Sequence, residues 1–289
     1  MCRLSTACSA KRLKIMPLRI DTGRRCVMAI VNVTPDSFYA GSRAADGMAV
    51  AERVRRAVAE GAAIIDIGGC STRPGSEYVA EEEEYRRVAE GLRAARSVSA
   101  DVVLSVDTFR AEVAARCIEE FGPLIINDIS AGEEEPELMR VAARCGVPYV
   151  AMHKRGRPSE MQSLTGYGDV AADVTEYLGE RIARLEEAGV RRERIVVDPG
   201  FGFAKTADEN FRLLAGLHRL KGLGCPIMVG ISRKSMIYRT LDVTPDHALN
   251  GTTALHWECL RQGASILRAH DVREAVQTIR LYEMFEKNL

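Results

Sequence analysis

The chain carries no surplus of either charge: 40 lysines and arginines balance 40 aspartates and glutamates over 289 residues. A nucleic-acid or polyanion binder is built on a basic excess, so that class is disfavoured, and any cation that serves an anionic ligand must be local. Clustered cysteines are also lacking. The eight, at positions 2, 8, 26, 70, 117, 145, 225 and 259, form no CxxC pair and no Cys–His cluster, which leaves neither a zinc ribbon nor a redox couple. Several fall in apolar runs, where a thiol packs as a small hydrophobe, and a reducing cytoplasm is the natural compartment. There is no HExxH, and His153 and His270 stand far apart. No GxGxxG opens the first helix, and the stretch from Gly200 to Thr206 (GFGFAKT) lacks the glycine that a phosphate loop places directly before its lysine. Residues Met1 to Pro17 are basic and irregular, without the long apolar stretch of a membrane span. Residues 1–20 are therefore read as an irregular tail and residues 21–289 as one domain.

What is present is a repeated pattern. Apolar runs of strand length occur at Cys26–Val31, Ala62–Ile67, Val102–Val106, Leu124–Ile126, Tyr149–Ala151, Ile195–Val197, Pro226–Val229 and Ala264–Leu267. Each is apolar throughout rather than alternating, as expected of parallel strands buried on both faces. Amphipathic segments separate them. Between Asp46 and Gly61, for example, Val50, Val54, Ala57 and Val58 keep one face apolar, while Glu52, Arg53, Arg55 and Arg56 take the other. Pro136 suits a first helical turn, and Gly61, Gly146 and Gly189 suit positions just past helix ends. Eight strand–helix repeats without a break in composition predict an α/β fold, a (β/α)8 TIM barrel, with an open doubly wound sheet as the alternative.

In such a barrel, chemistry collects at the C-terminal ends of the strands. The residues there are Asn32, Gly68-Gly69, Asp107, Asn127-Asp128, Met152-His153, Asp198, Ser232 to Lys234 and Arg268 to Asp271. Each has a plain structural alternative: Asp107 as a helix cap, Asn127-Asp128 and Asp198 as turn residues, Arg268 as half of an ordinary ion pair. Carboxylates, a carboxamide and two cations converging on one rim favour a ligand site over that set of coincidences.

The same residues resemble the dihydropteroate synthase family. Asn32-Val-Thr-Pro-Asp-Ser-Phe38 is similar to the family's first motif and Ile67-Gly-Gly-Cys-Ser-Thr-Arg-Pro-Gly75 to its second. Ser105 to Thr108, Ile126 to Asp128, Met152-His153 with Met161-Gln162, Asp198 to Phe203, Gly230 to Ser235 and Arg268 to Val272 follow in the family's order. The resemblance implies substitution at a pterin methylene: diphosphate leaves, and the amine of 4-aminobenzoate attacks. It implies that Asp107, Asn127 and Asp198 bind the amino-pyrimidinone edge of the pterin and that Met152 lines its pocket. Lys234 would bond the pterin carbonyl and ring nitrogen, and Arg268 would stack on the ring. Arg268, His270, Thr72 and Asn32 would meet the diphosphate, with Mg2+ shared between Asn32 and phosphate oxygens. Phe38, Pro74, Phe203 and the Lys234 stem would surround 4-aminobenzoate, with its carboxylate near Ser235 at the start of a helix. Asp36, Arg73 and Lys234 are the implied catalytic residues, and a homodimer is the implied assembly. A pterin-binding methyltransferase domain and a non-catalytic pterin-binding paralogue are the alternatives. Three positions depart from the motifs: Ala40, Cys70 and Lys154.

Overall fold

The structure, a computed structural model, describes residues 24–33, 43–70, 78–157 and 159–289. Eight strands alternate with helices from β1 (Cys26–Asn32) through α1 (Arg43–Glu60), β2 (Ile64–Gly68), α2 (Glu81–Val98), β3 (Val103–Asp107) and α3 (Ala111–Phe121). The chain continues with β4 (Ile125–Asp128), α4 (Glu137–Cys145), β5 (Tyr149–Met152), α5 (Val170–Glu187), β6 (Ile195–Asp198) and α6 (Ala207–Ala215). It ends with β7 (Met228–Val229), α7 (Ser235–Tyr238), α8 (Leu249–Gln262), β8 (Ile266–Ala269) and α9 (Val272–Glu286). The strands run parallel in the order β6-β5-β4-β3-β2-β1-β8-β7. An open doubly wound sheet would leave its two edge strands far apart. Here Ile227, just before β7, bridges Val197 of β6, and the Val197 N–H donates to Pro226 O at 3.0 Å. The sheet is a closed barrel, as the repeat pattern predicts.

Most of the eight strands end a residue or more later than their apolar runs. Asn32 pairs with Gly68, Gly68 with Asp107, Asp107 with Asn127, and Met152 with Asp198. Backbone amides continue the ladder whatever the side chain, so the polar rim residues are fixed by strand pairing rather than carried on loops. The seventh strand starts later than its run, because Pro226 has no N–H to donate.

The pleat sorts side chains by parity. Met28, Ile64, Ile125, Val150, Val196, Met228 and Ile266 point inward and form an apolar plug. Their neighbours, among them Val27, Ala29, Ile65, Ile67, Leu104, Val106, Ile126 and Val197, point outward and pack under the helices. Local signals set the helix ends. Gly146 closes α4 in the left-handed conformation (φ 62°), and the Asp169 carboxylate accepts from the amides of Ala171 and Ala172 at the start of α5. Thr206 and Glu209 form a reciprocal capping box on α6, so the lysine-threonine pair of the apparent phosphate loop is a helix start. No helix among the described residues is long and apolar enough to cross a membrane.

Candidate active site

Two residues beyond the plug, five of six strands turn polar, and β5 keeps an apolar Met152. Ile64 is followed inward by Asp66, Val103 by Ser105, Ile125 by Asn127, Val150 by Met152, Val196 by Asp198 and Ile266 by Arg268. Asp107 and Asn32 stand one further step up. Between those two is Gly68, where a Cβ would lie 3.4 Å from Asn32 Oδ1 and 3.5 Å from Asp107 Cβ.

Arg268 organises the cluster. Its Nε donates to Asp66 Oδ2 at 2.8 Å, and its Nη2 lies 2.7 Å from both Asp66 Oδ2 and Asp107 Oδ2. Asn127 Nδ2 adds a fourth contact, donating to Asp66 Oδ2 at 3.0 Å. The other Asp66 oxygen, Oδ1, and Ser105 Oγ are buried without a hydrogen-bond partner. An orphaned buried polar atom costs about 1–3 kcal/mol, and two of them facing the same interior mark a place built for a polar guest.

The charges are shifted as expected for a half-buried cluster. Burial pushes Asp107 up to about 7, with Arg268 opposing and Asp66 adding to the rise. Asp198 is raised by burial against the pull of Lys234. Burial draws Lys234 down to about 8, partly offset by Asp198. It also works against the charge on Arg268, but Asp66 and Asp107 outweigh it and hold that guanidinium above its ordinary value.

Lys234 precedes α7 and donates to Phe201 O, while its ammonium sits 4.7 Å from the Phe203 ring centroid. The preceding Arg233 holds a left-handed φ of 55°, a strained state for a residue with a Cβ, at about 1–3 kcal/mol. Its guanidinium compensates with paired bonds of 2.9 and 2.8 Å to Asp271 and bonds of 2.9 Å to Pro245 O and Asp246 O. His270 is half-buried; its N–H donates to Ser232 Oγ at 3.2 Å, and its Nδ1 lies 3.4 Å from Arg53 Nη2. Burial, then Arg53, lowers His270 to about 4.

The structural alternatives are divided. Asp107 caps nothing, since α3 starts at Ala111 behind Arg110. Asn127 points into the barrel, whereas Asp128 is a turn residue, accepting from Ser130 N and Oγ at 2.7 Å, from Gly132 N at 2.6 Å and from the Tyr149 hydroxyl. Asp198 does both jobs, with Oδ1 held by Gly200 N at 2.8 Å. Met152 ends β5, buried. Ser235 opens α7 as expected, but that helix is four residues long, so little macrodipole supports an anion there and the helix-start argument for Ser235 falls away. Asp36, Phe38, Thr72, Arg73, Pro74 and Ala40 lie outside the described residues, as do residues 1–23.

Asp66 escaped notice in the sequence because it sits inside an apolar run. A lone carboxylate in an otherwise apolar buried strand was the available signal. Lys154 now has a physical account: it is buried and paired with Glu134 at 2.8 Å, a residue that Tyr78 also reaches at 3.5 Å.

The pterin binding enzyme family matches residues 28–270. The chain is 42% identical to the dihydropteroate synthase of Escherichia coli K12, over 91% of this chain and 93% of that protein. The chain belongs to the dihydropteroate synthase family. Solved dihydropteroate synthases share its fold. That of Xanthomonas albilineans, with 4-aminobenzoic acid, is 39% identical with a TM-score of 0.84, covering 92% of this chain and 94% of that one. That of Yersinia pestis, in a sulfonamide complex, is 38% identical with a TM-score of 0.86, covering 93% and 96%.

Proposed function

We propose that this chain acts as a dihydropteroate synthase, condensing a (7,8-dihydropterin-6-yl)methyl diphosphate with 4-aminobenzoate to release 7,8-dihydropteroate and diphosphate, a step of folate biosynthesis. The cluster of Asp66, Asp107 and Asn127 around Arg268, with its orphaned Asp66 oxygen, is the observation that carries the reading. A pterin presents an amino-pyrimidinone edge rich in N–H donors, which carboxylate and carboxamide oxygens accept. On this reading Asp107, Asn127 and Asp198 take that edge, Lys234 takes the ring carbonyl, Met152 lines the wall, and Arg268 stacks on the ring and reaches the diphosphate with His270. Phe203 and the Lys234 stem form one wall for 4-aminobenzoate, a substrate supported by the relative solved with that acid, and Ser235 contacts its carboxylate through its hydroxyl. Thr72 is assigned to the diphosphate, Phe38 and Pro74 to the 4-aminobenzoate wall, and Asp36 and Arg73 to catalysis. These five rest on motif resemblance alone.

The cations favour departure of the leaving group. No base stands out among the described residues to activate the arylamine, itself a weak nucleophile. The methylene C–O bond breaks first, its electron pair leaving on the diphosphate, and the pterin ring delocalises the cation. The amine lone pair then forms the C–N bond, and its proton passes to diphosphate or solvent. Asn32 Oδ1 is a hard oxygen donor at the rim, suited to a Mg2+ ion carried in by the diphosphate, which needs only one or two protein oxygens. Bound there, the ion would neutralise charge on the leaving group. The reading extends to a cytoplasmic homodimer, for which the exposed Leu281, Met284 and Phe285 of α9 offer apolar surface.

The test incubates enzyme, Mg2+ and pterin diphosphate labelled at the bridging oxygen, without 4-aminobenzoate. Label should scramble into non-bridging positions, and adding 4-aminobenzoate should yield dihydropteroate. No scrambling, with a negligible secondary deuterium effect at the methylene during turnover, would replace this mechanism by direct displacement; no dihydropteroate at all would remove the activity.

A further inference from the structure

The loop between β6 and α6 has an unusual backbone. Gly200, Gly202 and Ala204 all hold positive φ, at 66°, 80° and 50°, so every second residue is left-handed, and one of the three has a Cβ. Gly200 lies so close to β5 that an added Cβ would stand 1.9 Å from His153 O. Within it the Phe203 N–H donates to Gly200 O at 3.1 Å, and left-handed positions in succession need support beyond that turn. Yet three features of it define the surroundings of Lys234: the Phe201 carbonyl that accepts from the ammonium, the Phe203 ring 4.7 Å away, and the backbone at Gly202, whose missing Cβ would lie 3.1 Å from Lys234 Cδ.

The loop is braced from behind by a second lysine. Lys205 is buried, and its Nζ lies 2.9 Å from Gly200 O, 3.0 Å from Phe203 O and 3.0 Å from His153 Nδ1. Burial, then Lys234, draws Lys205 down to about 7; as an ammonium it has three hydrogens to give, and here each has an acceptor within the protein. The His153 ring is buried against the Tyr177 ring, with centroids 4.8 Å apart and edge to face, and the His153 backbone N–H donates to Asp198 O at 3.0 Å. Burial, reinforced by Lys205, lowers the imidazole to about 2, so the ring is neutral and can present Nδ1 as an acceptor. Asn210 ties the far end of the loop, accepting from Gly202 N at 2.7 Å and donating to Thr206 O at 2.7 Å.

We infer that Lys205 and His153 are positioning residues: a buried brace that touches no substrate but sets the loop on which Phe203 and the Lys234 contact depend, and so shapes the 4-aminobenzoate side of the pocket. The inference rests on the activity proposed above for the kinetic part of its test only. In the full-length chain, Lys205→Met keeps the length of the side chain and removes all three hydrogen bonds. Its KM for 4-aminobenzoate should rise by about tenfold, with a smaller fall in kcat. Amide exchange in the peptide spanning residues 199–206 should accelerate by about tenfold, with the rest of the barrel unchanged.

His153→Asn places a carboxamide oxygen near the Nδ1 position and should stay within about threefold of the native KM, whereas His153→Leu should follow Lys205→Met. If Lys205→Met does not fold, Lys205→Gln, which keeps two donors, is judged by the same measurements and should fall between the native enzyme and His153→Leu. Native KM and native loop exchange in folded Lys205 variants would overturn the brace. So would equal behaviour of the Asn and Leu variants at position 153. Absence of turnover in the native chain would remove the proposed activity and leave the exchange measurement to decide the brace alone.

Discussion

The lower and upper halves of the barrel interior are built by the same strands, two residues apart, and they are opposites. Below lie Met28, Ile64, Ile125, Val150, Val196, Met228 and Ile266, apolar and filled; above lie Asp66, Ser105, Asn127, Asp198 and Arg268, charged or polar, with two atoms left unpartnered. The lower layer contributes stability through burial and close packing. The upper layer lowers stability, because desolvated charges recover only part of their hydration from one another. A layer that costs stability yet is kept polar is what a ligand site requires.

Arg268→Ala is the most severe way to break the contrast. It strips the shared cation from Asp66 and Asp107 and should cost about 3–5 kcal/mol of stability, as well as abolishing measurable binding of the pterin diphosphate. A thermal melt paired with calorimetry reads both, and a variant with a native melting point would mean that the two carboxylates do not depend on it. Ile266→Ala, one inward step below on the same strand, should cost roughly 2–4 kcal/mol by leaving a cavity. Its kinetic constants should remain native at temperatures where it is folded. Loss of substrate affinity in that variant would show that the two layers do not act separately.

A gentler test sharpens the comparison, because the upper layer alone titrates near neutrality. Asp107 is raised from an ordinary 3.8 to about 7, so the folded chain keeps a proton that the unfolded chain gives up. The sign follows: the contribution of this group to stability falls as pH rises from about 4 to about 7. A pterin needs the carboxylate, so affinity should rise with pH through about 7, then decline as Lys234 loses its proton near 8. Affinity for a plain pterin, measured by calorimetry across that range, should be bell-shaped. Asp107→Asn should bind weakly and lose the acidic limb; a flat native profile would mean that neither group meets the ring.

The barrel was legible in the sequence because each strand is a short apolar run buried on both faces, and eight such runs separated by amphipathic segments leave few arrangements. Asp107, Asn127, Asp198, Lys234 and Arg268 were legible because strand ends are where such a fold exposes side chains. Asp66 was not, since periodicity assigns an interior strand position to the plug and says nothing of the step at which the plug stops. The turn alternative holds for Asp128, and Ser235 opens a shorter helix than the sequence suggests. Adjacent strand residues face opposite sides, so Asn127-Asp128 could not both enter the pocket, and no local signal foretold that the helix after Ser235 would last a single turn. The Lys205–His153 contact joins residues 52 apart in the chain, a pairing that the β5–β6 ladder brings about.

The parity of the strands carries a genetic consequence. Inward and outward faces alternate with every residue, so losing one codon within β2 would turn Asp66 toward the helices and set an isoleucine in its place over the plug. A lost or gained codon in an exposed connection that bonds to no strand leaves that parity as it is, because the ladders can re-form in their old register. The length of this gene is held to the single codon inside its strands, and between them wherever a connection, like the β6–α6 loop, builds the pocket.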